Sequence, residues 1–111
     1  MIKITFYTKS DKYVGLVSKG HADYEESGKD IVCAAVSTIT QSLAMGILKI
    51  LNIKAKYKVD ENTGYLELRL PEIKDDLLLD KVQVLFKTAY ISLEDFQKGF
   101  PSNIKVEVKD L

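Results

Sequence analysis

The chain has no tryptophan, two prolines, one histidine and one cysteine in 111 residues. A lone cysteine makes no intramolecular disulfide, and with a lone histidine it falls short of the several Cys and His ligands that structural zinc usually takes. An excess of charge of one sign is missing too. Lys+Arg and Asp+Glu both number 16, so the overall positive excess that draws proteins onto phosphate backbones is lacking, and nucleic acid is disfavoured as the main ligand and is not a required partner. Met1-Ile2-Lys3-Ile4 lacks the basic n-region and apolar h-region of a signal peptide and reads straight into a strand. Together with the single cysteine, this points to the reducing cytoplasm. Ile31 to Leu48 carries no charge, but Ser37, Thr38, Thr40, Gln41 and Ser42 interrupt it and Lys49 closes it. A membrane span wants ~20 predominantly apolar residues, so a buried core helix is expected and no membrane partner.

There is no repeat, linker or low-complexity tract, and 46% of the residues are hydrophobic. That is enough for one core and too little chain for two, so residues 1–111 are expected to form a single domain. Ile2 to Tyr7 alternates at period two, Lys9-Ser10-Asp11 supplies turn chemistry, and Tyr13 to Ser18 resumes the extended pattern: a hairpin. A helix should start near Ser27 or Asp30, carry Val32, Val36, Ile39, Leu43 and Ile47 on one face, and end at Asn52-Ile53. Ala55 to Val59 and Tyr65 to Leu70 flank Asp60-Glu61-Asn62-Thr63-Gly64, a second hairpin. Asp75-Asp76 open a second helix that Gly99 caps and Pro101 blocks, and Ile104 to Val108 alternates as a last strand. The order ββαββαβ predicts an α+β two-layer sandwich, two helices on a mostly antiparallel or mixed sheet. Lys54, Lys56 and Lys58 alternate along one strand face and could touch RNA, but an exposed or edge strand protected by lysine is the simpler account.

The histidine and the cysteine lie a short loop apart, His21 just past a strand and Cys33 where a helix begins. Imidazole can take a thiol proton, and a helix N-terminus favours the thiolate, so this is the minimum equipment of a cysteine nucleophile. Asp30 either caps the helix or orients the imidazole as the third member of a triad; capping is favoured, because Asp is a common N-cap. The amides around Cys33 and Ala34 are candidate oxyanion donors provided Asp30 has not capped them. Gly20 and Gly28 bracket the loop as candidate hinges, so Ala22 to Lys29 is expected to order over bound peptide. Tyr24 is a candidate wall of the substrate site. Asp23, Glu25, Glu26 and Asp30 could join His21 and Cys33 around a metal, but a solvated loop face that attracts basic peptide is the simpler reading, and neither metal nor cofactor is expected.

The pattern Gly-His-Ala-x-Tyr at Gly20 to Tyr24, then Gly-x-Asp-Ile-Val-Cys-Ala-Ala-Val-Ser at Gly28 to Ser37, resembles the Prp family of ribosomal-processing cysteine proteases. Asp23 falls at the variable position, and Ser37 closes the motif. The resemblance extends over the chain in element order and length, including Phe100-Pro101 before the last strand. It implies a cysteine endopeptidase with a catalytic dyad on His21 and Cys33 and a flexible loop between them. It further implies a homodimer, and as substrate the N-terminal extension of the precursor of large-subunit ribosomal protein twenty-seven. The alternative is a non-catalytic, ribosome-associated binding module whose Cys33 is structural or redox-sensing.

Overall fold

The computed structural model describes residues 1–22 and 30–111. Strands β1 (Ile2–Lys9) and β2 (Lys12–Lys19) form the first hairpin, and helix α1 (Ile31–Met45) runs into a π-helical turn, Gly46–Ile50. Strands β3 (Lys56–Asp60) and β4 (Tyr65–Arg69) form the second hairpin, followed by helix α2 (Asp76–Gly99) and strand β5 (Ile104–Asp110). The sheet order is β3-β4-β2-β1-β5. All neighbours are antiparallel except β1 and β5, a parallel pair that needs the crossover α2 provides. The result is the α+β fold that the hydrophobic periods predict: two helices on a five-stranded mixed sheet.

Alternation along the strands sends Ile2, Ile4, Phe6, Leu16, Leu66, Leu68 and Ile104 to the helices, where they are buried against Val32, Val36 and Leu43 of α1 and Val82, Phe86 and Leu93 of α2. Phe6 is packed edge-on by Tyr13, Phe86 and Tyr90, at centroid distances of 5.8, 6.4 and 5.3 Å. A bulge between Tyr7 and Thr8 disturbs the β1–β2 register. Buried Gln83 of α2 clamps both main-chain polar groups of Tyr13 there, accepting from its N–H at 2.7 Å and donating to its carbonyl at 3.0 Å. The stretch Ile31–Ile50, whose one charge is Lys49, is long and apolar enough to cross a membrane, yet it buries Val32, Val36, Thr40, Leu43, Ala44 and Ile47 in this core.

One boundary and one helical geometry differ from the sequence reading. The first helix ends at Asn52, whose φ is 54°, as expected, but it leaves α geometry at Gly46, where a Cβ would come within 3.0 Å of Leu85, and finishes through a π turn. Gly99 is not the C-cap: α2 runs through it, and Phe100 closes the helix with its N–H on the Gln97 carbonyl at 3.0 Å. Lys56 and Lys58 do stand exposed on β3, an edge strand, whereas Lys54 precedes it.

Candidate active site

The end of β2, the start of α1 and the β3–β4 turn meet at one corner of the sheet. Gly20 takes φ 100°, and a Cβ there would lie 2.4 Å from the Met1 carbonyl oxygen, so only glycine fits. Its N–H donates to the Gly64 carbonyl at 3.0 Å. Gly64 itself has φ 65°, and its Cβ would meet the Gly20 carbonyl oxygen at 2.4 Å and Cε1 of His21 at 3.2 Å. These two glycines let the second hairpin press against the chain that carries His21. Gly20 is therefore a clamped corner.

Just beyond His21 the main chain is tied again. Asn103 Nδ2 donates to the Ala22 carbonyl at 2.9 Å, while the Asn103 carbonyl accepts from Ile2 N–H at 2.8 Å. Ala22 is 1% exposed, and its N–H is aimed at Sγ of Cys33, 3.3 Å away. A donor on sulfur favours the thiolate over the thiol.

Asp30 is the N-cap of α1. Its Oδ1 accepts from Val32 N–H at 2.9 Å and from Cys33 N–H at 3.0 Å, which makes Cys33 the third residue of the helix. The Asp30 carboxylate answers part of the positive helix end, and because no acidic residue lies in the first turn beyond it, the remainder acts on the half-buried sulfur. The cap costs the oxyanion expectation its donors. Cys33 N–H goes to the Asp30 carboxylate, and Ala34 N–H goes to the Asp30 carbonyl at 3.2 Å. Those amides are engaged by the helix start and are not open to a substrate oxygen.

His21, exposed, and Cys33 line the same cavity, of about 310 Å³. Ile2, Val36 and Leu66, all buried, form apolar wall. Ser37 and Gln41 follow Cys33 at four-residue steps on one helix face, and Asp60 and Glu61 of the second hairpin also border the space. The volume suits side chains of an extended peptide rather than a large cofactor. Among the described residues no three His, Cys, Asp or Glu side chains gather as a metal site.

The structure thus brings together Gly20, His21, Cys33 and Ser37, gives Asp30 the capping role, and leaves Ala34 exposed. Asp23, Tyr24 and Gly28, and the loop expected to close over peptide apart from Ala22, lie outside the described residues. Sequence reasoning passed over the Ala22 amide, Asn103, Gly64 and Gln41. Gly64 was legible as turn chemistry; no local pattern ties Asn103 to Ala22, 81 positions away.

Residues 1–105 match the family model described as cysteine protease Prp. A relative from Bacillus subtilis, ribosomal processing cysteine protease Prp, is 28% identical over 109 residues, which cover 96% of each chain. A protein of the same name from Staphylococcus aureus is 26% identical over 98 residues, covering 88% of this chain and 89% of that one. The crystal structure of an essential ribosomal processing protease Prp from S. aureus, in complex with a covalently linked product peptide, superimposes with a TM-score of 0.86 at 25% identity. It covers 98% of this chain and 100% of its own.

Proposed function

The chain belongs to the Prp family of cysteine proteases, and on that premise we propose that it removes the N-terminal extension of large-subunit ribosomal protein twenty-seven, with Cys33 as nucleophile and His21 as proton shuttle. The observation that carries the reading is the Ala22 N–H on the Cys33 sulfur, 3.3 Å away, in a cavity that His21 also lines. The imidazole of His21 takes the thiol proton, and Sγ of Cys33 adds to the scissile carbonyl carbon. Collapse of the tetrahedral adduct breaks the C–N bond, His21 returns the proton to the leaving amine, and a thioester remains on Cys33. Water, deprotonated by the same imidazole, hydrolyses the thioester and restores the thiol. The covalently linked product peptide of the S. aureus relative supports a covalent route of this kind.

The reaction runs in the cytoplasm, where ribosomal precursors are made, and the protein acts as a homodimer without a nucleic acid requirement. The test is cleavage of the ribosomal protein precursor from the same genome, read by intact mass, with wild type beside Cys33→Ala. A single cut near the precursor N-terminus by wild type alone is expected. A cut by both would remove Cys33 from the chemistry, and no cut by wild type would retire the substrate in favour of a binding module. Sedimentation at micromolar concentration should give a dimer; a 12.5 kDa species would contradict it.

A further inference from the structure

The chain's net charge of zero hides a segregation that strand register makes visible. Alternate residues face away from the helices and stand in rows across the open side of the sheet. One row places Lys19, Lys3 and Lys105 side by side on β2, β1 and β5. Another runs Lys56, Arg69, Gly15, Tyr7, Lys109. Lys58 belongs to the row between, and Lys9 faces Lys12 across the end of the first hairpin. These nine cations share the face with three acids, Asp60, Glu67 and Glu107, which leaves seven cations against thirteen acids in the rest of the sequence.

The three acids are already engaged. Glu67 binds Arg69 and, at 3.6 Å, Lys56; the hydrogen bond from Arg69 holds its carboxyl below the usual range. Glu107 pairs with Lys3 at 3.3 Å, and Asp60 accepts the Asn62 N–H of its own turn at 3.0 Å. Among the described residues Lys9, Lys12, Lys19, Lys58 and Lys105 make no ion pair. Like charges directly opposite in a sheet are destabilising, so the Lys19–Lys3–Lys105 row and the Lys9–Lys12 pair cost the isolated chain stability. Guarding an edge accounts for Lys105 on β5 and for Lys56 and Lys58 on β3, but not for Lys3, Lys9, Lys12 and Lys19, because β1 and β2 are interior strands. In the row of Lys56 and Lys109, Gly15 presents no side chain, so the Arg69 guanidinium reaches over the Tyr7 ring, 5.3 Å from its centroid; a hollow of about 570 Å³ beside them is lined by Lys9, Lys12 and Arg69, with Glu72 and the apolar Leu70, Pro71 and Ile73 also in its wall.

We propose that this open sheet face docks RNA through its phosphate backbone. The choice of RNA over other polyanions rests on the ribosomal-processing reading, whose substrate is met beside RNA. A second copy would set this basic face against itself. An anionic bilayer would need apolar groups to insert, and Val17, the aliphatic residue in the middle row, is buried. Phosphate contacts of this kind position a protein without reading sequence, so the face orients the enzyme and takes no part in the chemistry.

The test is fluorescence anisotropy with a fluorescein-labelled 20-base-pair RNA hairpin between 50 and 200 mM KCl. Wild type should bind with a log–log salt slope of about −4, as four to five neutralised phosphates give. Lys9→Gln/Lys12→Gln/Lys105→Gln should weaken binding at least about tenfold and flatten the slope by about 2 to 3, with peptide cleavage unchanged. Lys81→Gln/Lys87→Gln/Lys98→Gln, which removes equal charge from exposed positions of α2, should change affinity less than about twofold. Equal weakening by both triples, no binding at 50 mM KCl, or binding to phosphatidylserine vesicles without RNA binding would each overturn the proposal. RNA binding by a protein that fails to cut the precursor would support this surface and retire the substrate reading alone.

Discussion

The two helices begin on the same local chemistry and diverge within one turn. Asp30 and Asp75 share φ −76° with extended ψ of 102° and 114°. Each Oδ1 accepts from the second and third helical amides, at 2.9 and 3.0 Å in α1 and 3.0 and 3.2 Å in α2. In α2 the first residue is Asp76, whose carboxylate answers the macrodipole, and the third is Leu78. In α1 those places hold Ile31 and Cys33, so the positive helix end falls on sulfur, and Ala22 brings a further N–H to it. The cap sets the geometry in both helices. What sets the start of α1 apart is the missing first-turn acid and the chain packed against it.

The largest way to break that contrast is to remove the neighbour that α2 lacks. His21→Ala should lower kcat/KM by about 10²–10⁴ and slow alkylation of Cys33 by iodoacetamide at neutral pH; an unchanged kcat/KM would place the base elsewhere. A smaller effect comes from giving α1 the first turn of α2. Ile31 is exposed, and Ile31→Asp should slow alkylation several-fold while raising stability by about 0.3–1 kcal/mol. Alkylation at the wild-type rate would mean that the macrodipole does not tune this thiol. The caps themselves give the smallest effects. Asp75→Ala should cost about 1 kcal/mol in denaturant unfolding and leave alkylation untouched. Asp30→Asn keeps a capping oxygen and should shift stability by no more than a few tenths of a kcal/mol, with near-normal cleavage. A tenfold loss of activity there would reassign Asp30 from cap to triad.

Much of this was legible in one dimension. Both hairpins, both helices and the last strand follow from periods of two and 3.6, the cap of α1 from an aspartate before an apolar series, and the start of α2 from the paired charge of Asp75-Asp76. What was misread lies where packing overrides local signal: the π turn that begins at Gly46, against Leu85, and the end of α2, where Gly99 stays helical because Phe100 closes the helix. Half of the site was legible as well, because His21 and Cys33 sit in one short motif and the cap puts the cysteine in the first turn. The oxyanion expectation failed for a local reason, since the cap consumes the Cys33 amide, and the helix's first internal hydrogen bond consumes that of Ala34.

By itself, then, the sequence determined the elements, their order and the place of the thiol at a helix start, because turns, caps and amphipathic faces are settled between residues at most a few positions apart. Only the tertiary structure decided what surrounds that thiol and how charge is distributed. The Ala22 amide reaches Cys33 across 11 positions, Asn103 holds Ala22 across 81, and Gly64 meets Gly20 from another hairpin. The lysine rows need the register of strands at both ends of the chain. Such contacts form when distant segments bury their apolar faces together, and nothing in the local pattern says which polar groups that burial will bring face to face.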